Sequence, residues 1–400
     1  MQRDELAVWL RLSLTDGVGN LSARKLLAAF GLPQLVFEQN STALQQIVSQ
    51  AQSRALQSLP EGLETLLQAT QDWLAGVERD GVARSIVSLA DALYPRSLLA
   101  TEDPPILLYV TGATEIFTQL ATKPIANDIA IVGSRNPTPQ GEANARSFAK
   151  SLALSGLHVV SGLALGIDGA AHLGALEARQ EAPASAGSTV AVVGTGLDRV
   201  YPKKHYELAH RIATQGLLIS EFPIGTPPLA ANFPKRNRII SALTQGTLVV
   251  EAAMGSGSLI TARMALEQGK EVFAIPGSIH STVSKGCHLL IKQGAKLVES
   301  AQDVLEELGQ PSAINFAAAD AHIETKNGQS GIENDNADGA TTGTDAALLE
   351  ALGHDPVSLQ ALIARTGMDA AFLQAQLFEL ELSHQVARLP GGLFQRQTLA

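Results

Sequence analysis

Apolar positions in residues 1–80 recur at three- and four-residue spacing, as in Leu6, Trp9 and Leu10 and again in Leu26, Leu27 and Phe30. That period predicts helices with one buried stripe. Within them DGVGNLSARKLLAAFG, Asp16 to Gly31, sets glycines in a tight turn before a helix capped near Asn20 or Ser22. This is the pattern of a small SAM/helix–hairpin–helix-like domain. Such a hairpin offers backbone N–H groups to a phosphate, or serves only as a packing turn.

From about Ser85 the period changes. Short β-rich runs begin at Ser85, Ile106, Ile129, His158, Thr189, Leu217, Thr247, Glu271 and Ala295, and after Ile129 they alternate with helical stretches such as GEANARSFAKSLALSG and SLITARMALEQG. Strands alternating with helices imply right-handed crossovers and an α/β fold, a Rossmann-like doubly wound, mostly parallel sheet. Ligands of such sheets bind beyond the carboxyl ends of the strands. The last segment holds three helical patterns and then a short hairpin around Pro390-Gly391-Gly392, the order of a winged helix. Its third helical pattern, MDAAFLQAQLFELELSH, has no Lys or Arg, which favours an interaction or stabilising role over DNA reading. The expected domains are 1–80 helical, 81–308 Rossmann-like, 309–343 a flexible acidic linker, and 344–400 winged helix.

Composition narrows the setting. A single cysteine, Cys287, excludes an internal disulfide framework and any multi-cysteine metal site. No apolar run is long enough to span a membrane and the first residues do not read as a secretory signal, so a cytoplasmic protein is expected. The net charge of -10 argues at first against nucleic acid. Its distribution removes the objection: residues 81–310 carry 19 basic and 19 acidic residues, while 311–345 carry 1 and 6. The surplus lies in the flanks and the linker.

The cations of the neutral segment collect at glycine-rich strand ends. IVGSRNPTPQG joins Gly133, Ser134 and Arg135 before a helix start, an anion site in preference to a capped turn with a solvated arginine. SGLALGIDGAAH places Gly162 at a strand end with Asp168 and His172 one helical turn apart. These two read as a capping carboxylate and a helix-facing histidine before a metal or acid–base pair. GTGLDRVYPKKHYELAHR puts Gly196 ahead of Arg199, Tyr201, Lys203 and Lys204, cations and an aromatic ring that suit phosphates and a base. EFPIGTPPLAANFPKRNRIISAL leads through a rigid loop to Phe233, Lys235, Arg236, Asn237 and Arg238, the densest basic cluster of the chain. EAAMGSGSLITA sets Ser256 and Gly257 in a possible phosphate nest at another helix N-terminus. There is no Walker loop, no dinucleotide fingerprint and no GxSxG elbow, so no catalytic residue, cofactor or metal is expected.

In this order, the strings IVGSRNPTPQG, SGLALGIDGAAH, GTGLDRVYP, ISEFPIGTPP, NFPKRNRII, SGSLITAR, FAIPGS and SKGCHLLIKQGA closely resemble the bacterial DNA-processing protein A family (DprA, also called Smf). The resemblance implies a non-enzymatic homodimer that binds single-stranded DNA, shields incoming strands in natural transformation and helps load the RecA recombinase. Carried over by motif, Gly133 to Arg135, the Lys203 neighbourhood and Phe233 to Arg238 form the expected strand surface. The chain departs from the family at Leu165 and Gly255, where cations are common, and at His288, where Asn is usual. Two other readings stay open. One is a nucleotide-processing enzyme related to phosphoribohydrolases, whose PGGxGTxxE loop has its nearest counterpart in TQGTLVVEA, Thr244 to Ala252. The other is a scaffold whose anion sites are vestigial.

Overall fold

The computed structural model describes residues 2–76, 82–122, 128–309, 348–349, 351–353 and 356–397. The expected boundary at residue 80 and almost all of the expected linker lie outside the described residues.

Each of the nine β-rich runs is a strand: β1 Arg84–Ser88, β2 Leu107–Gly112, β3 Asp128–Val132, β4 His158–Ser161, β5 Thr189–Val192, β6 Leu217–Ser220, β7 Gly246–Val249, β8 Glu271–Ala274 and β9 Lys296–Leu297. They form one sheet in the order β1-β2-β6-β5-β4-β3-β7-β8-β9. The pairs from β6 to β9 are parallel. β1 and β2 extend the sheet antiparallel on the β6 side.

Alternate residues of each strand serve opposite faces. Ile129 and Ile131 meet the helices Pro139–Leu154 and Ile167–Glu181, while Ala130 and Val132 meet Asn232–Leu243 and Ser258–Glu267. Alanines dominate the first pair of helices, with Ala145, Ala149, Ala171 and Ala175 fully buried, which lets them lie close in a chain with few aromatic residues. The chain winds from β3 outward to β6, then returns to β7 beside β3. That reversal opens a crevice between the ends of β3 and β7.

The front helices do not stand apart from the sheet. Leu6, Leu10, Leu26 and Trp73 share one apolar cluster with Ile86, Leu107 and Tyr109 of β1 and β2, and Trp73 meets Tyr109 edge-on at 6.0 Å. The C-terminal unit is a winged helix. Ser358 and Asp369 cap the helices Leu359–Thr366 and Ala370–Leu382, and the hairpin β11 Val386–Leu389 and β12 Leu393–Arg396 is joined by the short β10 Val357–Ser358. Leu373, Leu377 and Leu380 are buried, whereas Phe372, Phe378 and Leu382 are exposed. Among the described residues no helix is long and apolar enough to cross a membrane.

Candidate functional site

The crevice at the chain reversal is a cleft of about 410 Å³. Gly133, Ser134 and Arg135 follow β3, Phe233, Arg236 and Asn237 come from the first turns of Asn232–Leu243, and Ser256 and Gly257 precede Ser258–Glu267. Eight of the residues expected from sequence thus meet around one space, although they come from three separate loops and helix starts.

The β3 loop is fixed from below. A Cβ on Gly133 would lie 2.7 Å from Ile167 Cγ1 and 2.9 Å from the Glu251 carbonyl, so glycine is required for this approach. Ser134 donates its N–H to the Glu251 carbonyl at 2.7 Å. The Glu251 carboxylate accepts from the Thr138 N–H at 2.9 Å and the Thr138 hydroxyl at 2.6 Å, and the Thr138 oxygen in turn caps the following helix. Contrary to the sequence expectation, that helix N-terminus is therefore already filled by the protein's own carboxylate and does not face a ligand. Burial pushes the Glu251 carboxyl above its ordinary value, and the Thr138 bonds oppose the shift.

The β4 turn is fixed in the same manner. Asp168 accepts from the N–H groups of Gly162 at 3.1 Å and Ala164 at 3.3 Å. His172 takes the Leu163 N–H on Nε2 at 3.3 Å and meets Thr189 Oγ1 through Nδ1 at 2.7 Å. Thr189 gives its own proton to the Val159 carbonyl, so the arrangement assigns the imidazole proton to Nδ1. Burial, with His205 and Arg236 nearby, pulls the ring from 6.5 to about 3. It is a neutral clamp on Leu163, a non-glycine residue held at φ 59°. Among the described residues there is no metal-capable cluster. Gly162, expected among the DNA-binding residues, gives its N–H to Asp168 and does not present it to a ligand. Its contribution is space: a Cβ there would lie 1.4 Å from Arg236 Nη1.

Arg236 is the unusual group. Its residue is 4% exposed and lines the cleft. Among the described residues its guanidinium makes no hydrogen bond or ion pair, and Nε is buried without a partner. Burial lowers it from 12.5 to about 10, with Arg135 adding to the fall and Asp168 opposing it, so it remains a cation at neutral pH. A desolvated cation with free donors is costly unless an anion completes it. Across the cleft Gly257 heads the Ser258–Glu267 helix, its N–H without a partner among the described residues, where the helix dipole favours negative charge. Asn237 Nδ2 reaches the Gly257 carbonyl at 3.3 Å and ties the two walls together.

At the cleft mouth the exposed Arg135 lies over the Phe233 ring at 5.8 Å. Phe233 in turn packs against Tyr201, with ring centroids 5.5 Å apart and planes inclined at 37°. Cations, a helix N-terminus and a solvent-facing aromatic pair thus adjoin. That combination suits a nucleotide chain, whose phosphates need donors and whose bases need flat apolar surface.

Other expected site residues fall elsewhere. Helical geometry splits the basic cluster, because residues three and four apart share a face. Phe233, Arg236 and Asn237 face the cleft, while Lys235 and Arg238 turn to Glu221. Arg238 forms an ion pair with the buried Glu221 carboxylate and lies 3.2 Å from Asp103. Lys235 is 3.9 Å from the same carboxylate, which Asn20 of the front hairpin reaches at 3.3 Å. Arg238 is 7% exposed and its charge is met in this joint by Glu221 and Asp103, although Nη1 is buried without a hydrogen bond, which corrects its expected place on the binding surface. Gly196 is also a packing residue: its N–H donates to the Thr226 carbonyl and a Cβ would meet Asp198 Oδ1 at 2.4 Å. Lys203 and Lys204 are exposed on the turn Lys203–His205, outside the cleft lining. Sequence reasoning missed Glu221 and Glu251 as internal anions. The sole signal for Glu221 was its place ahead of the proline-rich loop.

Comparison with known proteins agrees with this geometry. A family model described as DNA recombination-mediator protein A matches residues 85–309, and one described as DprA winged helix domain matches 333–392. The chain belongs to the DprA/Smf family. Protein Smf of Escherichia coli (strain K12) is 42% identical over 300 residues, 75% of this chain and 74% of its own length. Protein Smf of Synechocystis is 30% identical over 413 residues, covering 99% of this chain and 100% of its own. Among solved structures, DNA processing protein A from Streptococcus pneumoniae superposes with a TM-score of 0.58 at 35% identity, over 77% of this chain and 98% of that one. The DprA/Smf match spans the sheet, the cleft and the winged helix.

Proposed function

We propose that this DprA-family protein binds single-stranded DNA, without enzymatic action, as a recombination mediator that protects incoming strands and helps load RecA during natural transformation. As the family resemblance implies, it works as a homodimer through the sheet domain. The observation that carries the binding reading is the buried, unpartnered Arg236 beside the Phe233–Tyr201 pair. A strand laid across the chain reversal puts a phosphate between Arg236, Arg135 and the Gly257 helix end, and a base against Phe233. A duplex keeps its bases stacked on one another and gains nothing from the rings.

Among the described residues, two acids at or beneath the cleft are already engaged, which favours binding over hydrolysis in this reading. Asp168 is held by two backbone N–H groups, and Glu251, the acid of the string closest to a phosphoribohydrolase loop, commits both oxygens to Thr138. Fluorescence anisotropy with an oligothymidylate and a matched duplex tests the proposal. A salt-sensitive preference for the single strand is expected; equal binding to both, or to neither, overturns it.

A further inference from the structure

Tyr201 belongs to two spaces at once. It packs against Phe233 at the mouth of the cleft, and it also lines a second cavity of about 330 Å³. That volume lies at the lower end of the roughly 300–1,000 Å³ usual for small-molecule sites. Buried Leu163, Val193 and Leu218 line it together with the exposed ring of Tyr206. The loop that carries Tyr201 is pinned, because Asp198 accepts from the Gly225 N–H at 2.8 Å and pairs with Arg199 at 2.8 Å. The walls are thus preformed.

We propose that this cavity takes one base of a single strand whose backbone lies in the Arg236 cleft, with Tyr201 as the step between the two. The inference rests on the single-strand reading above and deepens it. Two features favour a nucleobase. The aromatic and aliphatic walls match a flat heterocycle. Arg199, half-exposed in the lining, places a cation where the phosphate of the inserted nucleotide would lie.

Ala213→Trp fills the cavity from the Tyr206–Gln215 helix without touching the Arg236 cleft. In the full chain it is expected to weaken binding of a long oligothymidylate about tenfold, the scale of one lost base–aromatic contact, and to leave binding of a thymidine trinucleotide unchanged. Long-strand affinity equal to that of wild type overturns the second site while leaving the cleft intact. Failure of the wild-type protein to bind either oligomer overturns both readings, so the two failures are distinguishable. Melting temperatures check folding; if the tryptophan variant does not fold, Ala213→Leu makes the same comparison with a smaller filler, and unchanged long-strand affinity there counts against the site.

Discussion

Arg236 and Arg238 stand two residues apart on one helix, both buried, and they have opposite surroundings. Arg238 points to the joint between the front helices and the sheet, where Glu221, Asp103 and Asn20 gather. Arg236 points into the chain-reversal cleft and finds no partner there among the described residues. Arg238 meets carboxylates within the fold, although its Nη1 lacks a hydrogen bond, whereas Arg236 makes no ion pair among the described residues, and in the proposed reading a ligand supplies its anion. The density of cations in NFPKRNRII therefore does not measure binding capacity; the 3.6-residue period assigns each cation to a face, and the face decides its role.

The largest effect that would break this comparison is on stability. Arg238→Ala removes the closer of the two cations at the buried Glu221 carboxylate and leaves only Lys235 at 3.9 Å; breaking a buried pair in this way costs about 3–5 kcal/mol. Denaturant unfolding should show that loss, and a stability change as small as that of a surface substitution would remove the distinction drawn here. On the cleft side, Arg236→Gln should lower single-strand affinity by roughly 1.5–3 kcal/mol, the range for hydrogen bonds to charged groups, with a shallower salt dependence. Its fold should survive, since Arg236 makes no hydrogen bond or ion pair among the described residues.

A smaller effect tests the clamp beneath Arg236. The folded-state value of His172 lies below the ordinary 6.5, at about 3. On acidification the unfolded chain takes up a proton that the folded ring refuses, so stability falls as pH drops below 6.5 and the loss is complete near 3. Between about pH 7 and pH 5 this costs about 2 kcal/mol. Urea titrations at both values should show wild type losing that much more than His172→Gln. An equal loss in the two proteins would mean that the ring is not the neutral clamp described.

Much of this molecule was legible in its pattern of residues. All nine runs became strands because short β-branched segments between amphipathic helices have few other ways to bury themselves. Glycine-rich turns marked the strand ends for a like reason, close approach, as at Gly133. The site was legible as a set of motifs but not as a set of contacts. Nothing in SGLALGIDGAAH shows that its N–H groups are taken by Asp168 and His172, or that Gly162 makes room for a guanidinium from a helix seventy residues onward. The glycines of the front hairpin and Gly196 looked as suitable for a phosphate as Gly257. The hairpin is instead tied through Asn20 to the protein's own Glu221, and the N–H of Gly196 is taken by the Thr226 carbonyl.

The sequence by itself determined the order of elements, the doubly wound sheet and the neutral segment in which cations meet glycine turns, because hydrophobic period and turn chemistry are local properties. Tertiary structure decided which of those cations stayed free. Pairing depends on what a distant segment brings within a few ångströms, and burial sets how much an unpaired charge gains from a ligand. Arg238 found Glu221 across the joint; Arg236, one face away, was left at the bottom of the cleft.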